Sequence, residues 1–338
     1  MSSQNRSKVH LRSQDSAHQT ADGDFDILNM SWGAAQNTLS PRDLAYETQL
    51  RFAAVTKRRG LGTIFVKAAG NHFLVPCRNR PTQFCTGNSN FDADDANPYT
   101  IMVSSLAPNG SAASYSSPGS NIWVSAMGGE TGVANAAMIT TDRAGCARGN
   151  SRTNATSTLP FERGGSGNTN CNYSATFTGT SAAAPVTSGA IALLLEANPN
   201  LSWRDIKYLL ARTAVPVDFQ TNTPIPHPLN NALPAGGSST LTVNTSLRIE
   251  AAQIQLWVTH PDISELAIEL TSPSGTRSLI VNMHNSLVGL PNYQGELMMT
   301  NAFYQENSQG TWTLKVIDGK FNQTGTLTRW RLNLVGGN

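Results

Sequence analysis

The sequence predicts an α/β domain built on a parallel sheet with covering helices, followed by an all-β sandwich. Three observations predict it. Apolar, β-branched runs alternate with helical stretches up to about residue 214, a proline-rich stretch breaks both patterns between residues 215 and 238, and apolar residues then recur at every second position. At 338 residues the chain can hold one large and one smaller domain, each with its own core.

From Met1 to Gly23 the chain is polar and almost without large apolar side chains, too few to offset the entropy of ordering, so residues 1–23 are expected to be unordered or a ragged start. Phe25 to Ser31 reads as a buried strand. Ser40, Pro41 and Asp43 read as a helix start, with a hydroxyl cap, a proline at the first position and an S-x-x-D box. Leu44, Thr48, Phe52 and Val55 follow at helical spacing, and Gly60 supplies a stop. Thr63–Ala69, Tyr99–Leu106 and Asn121–Ala126 read as further strands. A helix is expected over Ser181–Ala197 and another from Ser202, again with an S-x-x-D box through Asp205. These elements define a first domain over residues 24–214. Pro216, Pro224, Pro226, Pro228 and Pro234, with Gly236 and Gly237, can sustain neither helix nor central strand, so residues 215–238 form a linker. In the second domain, residues 239–338, Ile254/Leu256/Val258, Leu266/Ile268/Leu270, Trp312/Leu314/Val316 and Trp330/Leu332/Leu334 alternate with polar residues, the pattern of a sandwich of antiparallel sheets.

Charged residues make up only 14% of the chain and the formal net charge is +2, with no basic patch, which argues against a nucleic-acid binder. The longest apolar run, Ala190 to Leu195, is too short to cross a bilayer, so no membrane role is expected, and the Met1 end shows no apolar export signal. The four cysteines permit three pairings, or stay reduced in a cytosolic protein. In a loop-rich exported chain the expected bridges are Cys77–Cys85 and Cys146–Cys171, with a secreted or periplasmic location.

The strongest chemical signal is Gly179-Thr180-Ser181-Ala182-Ala183-Ala184-Pro185 at the mouth of a helix. Small neighbours leave Ser181 uncrowded, and free NH groups at a positive helix end favour negative charge developing beside it. Pro185 is expected in the first turn, where a missing NH costs little. A serine cap on an ordinary alanine-rich helix is the alternative reading. A second element is Ala68-Ala69-Gly70-Asn71, a short strand ending on an amide that can donate to an oxyanion, or simply a turn.

The run Gly179–Pro185, continuing through Leu193 to Asp205, resembles the nucleophile helix and following helix of the kexin/furin branch of subtilases, the subtilisin-like serine endopeptidases. That resemblance implies a three-layer αβα fold on an incomplete parallel sheet. It implies Ser181 as the nucleophile of an acyl-enzyme mechanism and Asn71 as the oxyanion-hole amide. Ser31-Trp32-Gly33 resembles the segment that pairs with an extended substrate, and Asn90-Phe91-Asp92 the stretch supplying an acid, Asp92, to the pocket for a basic P1 side chain. Residues from about Ser239 to Gly336, notably Leu270–Thr276 and Gly310–Leu314, resemble the jelly-roll-like P domain of proprotein convertases, which in that family packs on the protease. A polypeptide substrate, a monomer, no cofactor for the chemistry and a structural calcium are further implications.

Departures accompany the resemblance. Ala34-Ala35-Gln36-Asn37 stands where kexin-like members place acids, and Tyr115-Ser116-Ser117-Pro118 has serine where they place a glutamate, which weakens the case for dibasic specificity and for the nearby calcium. The family's catalytic aspartate, and its histidine in a His-Gly-Thr motif, precede the Ser-Trp-Gly segment, and neither motif occurs here. His10 and His18 lack that context, and His72, His227, His260 or His284 would be an unusual base. The expectation is therefore an N-terminally truncated endopeptidase, inactive alone, with a non-catalytic peptide- or partner-binding relative as the alternative. An α/β-hydrolase esterase does not fit, because Ser181 lacks the Gly-x-Ser-x-Gly elbow.

Overall fold

A computed structural model describes residues 9–11, 25–131, 136–215, 236–320 and 323–337. The first domain runs through β1 (Val9–Leu11), β2 (Ile27–Met30), α1 (Leu44–Thr56), β3 (Ile64–Ala68), β4 (Val75–Cys77), β5 (Arg80–Cys85), β6 (Thr100–Leu106), β7 (Val124–Met127), β8 (Met138–Thr141), β9 (Tyr173–Phe177), α2 (Thr180–Ala197) and α3 (Trp203–Thr213). β1-β2-β3-β6-β7 form one sheet, parallel at every pairing. β2 and β3 are buried at every position, as strands covered on both faces must be, and this is why they read as continuous apolar runs.

The polar opening segment departs from expectation. Val9 to Leu11 pair in parallel with Ile27 to Asn29, extending the sheet beyond β2. A strand of three residues is added by backbone pairing, a contribution that composition does not reveal. The rest of residues 1–23 lies outside the described residues.

α1 also differs from its expected form. Its N-cap is Asp43, whose carboxylate accepts from the NH groups of Ala45 and Tyr46 at 2.9 and 3.1 Å, while Ser40 instead makes a bridge with Asp92. The stripe at Leu44, Phe52 and Val55 is exposed, and Tyr46, Leu50, Ala53 and Ala54 face the core. Both faces of α1 carry apolar residues, so periodicity alone could not select the buried one.

α2 is by length and composition able to span a bilayer, which corrects the sequence-based exclusion, but Ala183, Ala184, Ile191 and Leu195 pack it into the core against β2, β3 and β6. α3 has the expected capping box: Ser202 Oγ accepts from Asp205 NH at 3.2 Å, and the Asp205 carboxylate accepts from Ser202 NH at 2.8 Å. Both expected disulfides are present. Cys77–Cys85 ties the β4–β5 hairpin, and Cys146–Cys171 closes a loop of sequence separation 25 beside the β8–β9 pair. Closing a loop of that size contributes on the order of 3 kcal/mol.

The second domain comprises β10 (Gly237–Val243), β11 (Arg248–Thr259), β12 (Leu266–Thr271), β13 (Arg277–Val281), β14 (Tyr293–Thr300), β15 (Gly310–Asp318) and β16 (Thr326–Gly337). Two antiparallel sheets, β10-β15-β12-β13 and β14-β11-β16, enclose a core of Ile254, Leu256, Ile268, Leu270, Leu314 and Trp312. Trp312 is fully buried, and its indole NH donates to the Ser308 carbonyl at 2.9 Å, so the largest apolar side chain brings no unsatisfied donor inside. β10 begins two residues inside the expected linker, and residues 216–235 of that linker lie outside the described residues.

The two domains meet across a seam that mixes polar bonds with apolar contacts, among them Leu39 on the second core, Ala96 beside Met299 and Trp123 against Tyr304 at 4.7 Å. Phe91, 1% exposed, belongs to the core of the second domain although it sits on a first-domain loop. Around it, Asn90 Oδ1 accepts from Met299 NH at 2.9 Å, Asn301 Nδ2 donates to the Asn121 carbonyl at 2.6 Å, and Gln253 Nε2 donates to the Ala96 carbonyl at 2.6 Å. The sandwich therefore braces residues 90–96 from behind.

Lys207 on α3 is fully buried, with its ammonium donating to the Pro98 carbonyl at 3.0 Å over the face of Trp123 at 4.1 Å. Burial pulls its pKa down to about 7, with the Arg204 charge adding to the shift and the Glu250 carboxylate opposing it. The native protein sheds this proton at lower pH than the unfolded chain, so its cost is present below about pH 7 and is relieved as pH rises towards the unfolded lysine value near 10.4. Stability measured by urea unfolding is expected to rise between roughly pH 7 and pH 9 from this group, and Lys207→Met should flatten that rise. An unchanged slope in Lys207→Met would remove lysine titration as its origin.

Candidate active site

β2 and β3 run parallel, so their C-terminal ends lie along the same edge of the sheet, where the crevice of an open parallel sheet usually holds the site. β2 leads into Ser31-Trp32-Gly33, and β3 leads through Ala69 and Gly70 to Asn71. The N-terminus of α2 closes the third side.

Gly179 is the N-cap of α2, with φ 120° and ψ 165°, so Ser181 is the second helical residue and does not cap the helix. The cap comes from across the crevice. Asn71 Oδ1 accepts from Thr180 NH at 2.8 Å and from Thr180 Oγ1 at 2.9 Å, and Gly70 NH donates to Thr180 Oγ1 at 3.1 Å. A backbone NH can only donate, so the Asn71 atom facing it is the carbonyl oxygen, and the NH2 is the other, donating end of the amide. A Cβ on residue 179 would stand 3.0 Å from that NH2 nitrogen, which makes glycine the residue that leaves it room.

Ser181 and Ser31 are tied to each other. Ser31 Oγ donates to the Ser181 carbonyl at 3.0 Å, and Ser181 Oγ donates to the Ser31 carbonyl at 3.3 Å. Pro185 explains the first bond. It is the sixth residue of α2 rather than in the first turn, and it lacks the NH that the Ser181 carbonyl, four residues earlier, would otherwise accept. The Ser31 hydroxyl takes that place. Ser31 is held in turn by Asn29 Nδ2 at 2.8 Å, and Asn29 Oδ1 accepts from Ser188 Oγ at 3.1 Å. Trp32 packs partly buried on the first core, while Gly33 is exposed with open space on its Cβ side.

Asp92 lies beneath this segment and is 5% exposed. Its Oδ2 accepts from Ala34 NH at 3.1 Å and stands 3.7 Å from the Lys67 ammonium, which also pairs with Asp95. Burial opposes charge on Lys67, but the Asp95 and Asp92 carboxylates outweigh it and hold its pKa above the ordinary lysine value. One ammonium faces two buried carboxylates, so Asp95 is pushed up, to about 7, by burial that Lys67 only partly offsets. Asp92 is thus a buried, paired acid and not a solvated loop residue.

Gln36 and Ser117, one from each of the two neutral segments that depart from the kexin-like pattern, converge on Gly70. Gln36 Nε2 donates to the Ala69 carbonyl at 2.9 Å, and Ser117 Oγ accepts from His72 NH at 2.9 Å. Calcium takes six to eight oxygen ligands with carboxylates among them, and neither residue brings a carboxylate here, so this place does not fit calcium.

No histidine bonds to Ser181 among the described residues. His72 adjoins Asn71, but its Nδ1 is buried without a partner and desolvation lowers its pKa. His260 and His284 belong to the second domain, His10 contributes backbone to β1, and His18 and His227 lie outside the described residues. Sequence reasoning missed Thr180, Asn29 and Tyr115, whose hydroxyl accepts from Gly179 NH at 2.8 Å. It also missed Lys67, although a lysine inside the apolar run Ile64–Ala68 signals a buried counter-charge.

Residues 2–246 match the model of the subtilase family, and residues 249–334 match the proprotein convertase P-domain. The chain is 31% identical to an extracellular serine protease of Aeromonas sobria, over 88% of this chain and 62% of that protein. It is 28% identical to human proprotein convertase subtilisin/kexin type 4, over 92% of this chain and 43% of the relative. The crystal structure of the Aeromonas sobria serine protease superposes with a TM-score of 0.79 at 29% identity, covering 93% of this chain and 72% of that one. The chain thus spans less than two thirds of the length of these two sequence relatives. With the family match extending over most of its length, the chain belongs to the subtilase family and carries a P-domain after its parallel-sheet domain.

Proposed function

We propose that this chain carries the nucleophile and oxyanion half of a serine endopeptidase site, which hydrolyses peptide bonds when the family's aspartate and histidine complete it. In this reading Ser181 Oγ attacks the scissile carbonyl, its proton passes to the supplied histidine, and the amine leaves with that proton to give an acyl-enzyme that water then hydrolyses. Asn71 Nδ2 donates to the oxyanion as it forms, and the positive end of α2 adds to the same stabilisation. Ser31–Gly33 is the segment on which an extended peptide adds as a strand. Asp92 forms the floor of the P1 pocket, but its pairing with Lys67 leaves little negative charge for a lysine or arginine, so a strict basic preference is not expected. A polypeptide is the substrate class, and secretion accords with the two disulfides and with the extracellular relative.

The observation that carries this reading is the hydrogen bonding of Asn71, whose oxygen is taken by Thr180, so that the NH2, beside the Gly179 N-cap, is the end of the amide left to donate next to Ser181. The test joins the chain to a subtilase segment bearing the aspartate and histidine, labels it with a fluorophosphonate and maps the label by mass spectrometry. Labelling at Ser181 is expected, and labelling elsewhere, with Ser181 unmodified, would sink the proposal. The hydroxyl bonded to Ser31 favours a second reading, a groove that binds peptides without cleaving them. Peptide binding to the completed form with no label at all would decide for it.

A further inference from the structure

At one end of the sandwich, three strand ends bring together an imidazole and two carboxylates. His260 follows β11, Glu265 precedes β12 and Asp318 ends β15, and one ligand atom from each lies within 4.8 Å of the others. We propose that these three residues bind a divalent transition-metal ion, with zinc the best match to one nitrogen and two carboxylate donors.

Several independent features converge on this. The His260 ring is buried, and its Nδ1 lies 2.7 Å from the Asp262 carbonyl, an acceptor only. Donation of Nδ1–H there is the arrangement found behind most metal-bound histidines, because it fixes the tautomer and aims the Nε2 lone pair outward. That lone pair then faces Asp318 Oδ2 at 3.2 Å. Two acceptors at this separation are held together by a cation or by a proton, and with Nδ1 carrying the proton Nε2 is left open to a metal. Glu265 is 9% exposed, and its Oε2 is buried without any hydrogen-bond partner, an open carboxylate oxygen beside the same pair. A cavity of about 350 Å³ lined by His260, Asp318, Lys320 and Gly325 gives an ion a way in.

Two features compete with the metal. The Lys320 ammonium bonds Glu265 Oε1 at 2.5 Å, but its side chain is 50% exposed and can withdraw into solvent. Asp262 NH also lies 3.1 Å from His260 Nδ1, so the opposite tautomer would donate Nε2–H to Asp318 and satisfy the pair without an ion. A bound metal would pin the ends of β11, β12 and β15 together, a structural clasp independent of the crevice around Ser181.

The experiment strips the full chain with a chelator and titrates it with zinc chloride by calorimetry, with cobalt(II) as a spectroscopic stand-in. One equivalent is expected to bind, with cobalt giving the intense visible bands of a low-coordinate site. His260→Gln and Asp318→Asn should abolish this binding, and Lys320→Met should tighten it at least several-fold by removing the competing ammonium. Lys320 is half exposed, so its variant tests the idea even where the buried substitutions disturb folding. Zinc binding undiminished in His260→Gln would assign the ion to other histidines and overturn the proposal. No uptake by either the parent or Lys320→Met would do the same, leaving Lys320 and the Nε2–H tautomer as a sufficient clasp.

Discussion

Peptide hydrolysis by the 338-residue chain alone is expected to be indistinguishable from that of its Ser181→Ala variant. The reason is local. A serine hydroxyl is a weak nucleophile until a base takes its proton, and here Ser181 Oγ rests on the Ser31 carbonyl at 3.3 Å with no histidine bonded to it among the described residues. In subtilisin, the family member for which this value is known, loss of the serine or the histidine costs a factor of about 2 × 10⁶ in kcat. Fluorophosphonate labelling and turnover of a fluorogenic peptide should both sit at background. Robust turnover that vanishes in Ser181→Ala would mean that another group, with His72 the first suspect, reaches the hydroxyl in solution.

Asn71→Asp should separate the two tasks of that side chain. The aspartate keeps an oxygen for Thr180 NH, so the cap on α2, worth about 1 kcal/mol, survives and the melting temperature changes little. What is lost is the NH2 donor, and a negative charge replaces it where the oxyanion would form. In a form completed with the family's aspartate and histidine, kcat should fall at least 10²- to 10³-fold with KM nearly unchanged, about 2.7–4 kcal/mol, again a magnitude known from subtilisin. Asn71→Ala should lose both the rate and the cap. A fall in stability with kcat preserved in Asn71→Asp would make Asn71 a structural cap and remove it from the chemistry.

Much of this architecture was legible in the residues. Ile27–Met30 and Ile64–Ala68 read as buried parallel strands because both faces are covered and no polar alternation survives. Ser202 and Asp205 form their capping box because that motif is satisfied within four residues. The period-two runs of the second domain correspond to its sheets for the same reason, since a sandwich strand exposes one face and buries the other. Local rules failed where two solutions were equally good locally. Both stripes of α1 could have been buried, and either Ser40 or Asp43 could have capped it.

By itself, the sequence determined the family, the order of the two domains, and the strands and helices whose hydrogen bonds and burial close within a short stretch of chain. Tertiary structure alone decided the site. It set the Asn71 oxygen on Thr180 109 positions away, put Ser31 in the place that Pro185 vacated, and turned Asp92 from a loop acid into the partner of Lys67. Such choices depend on which buried polar group has no nearer partner. A linear chain cannot show that until its strands have packed and water has left the crevice.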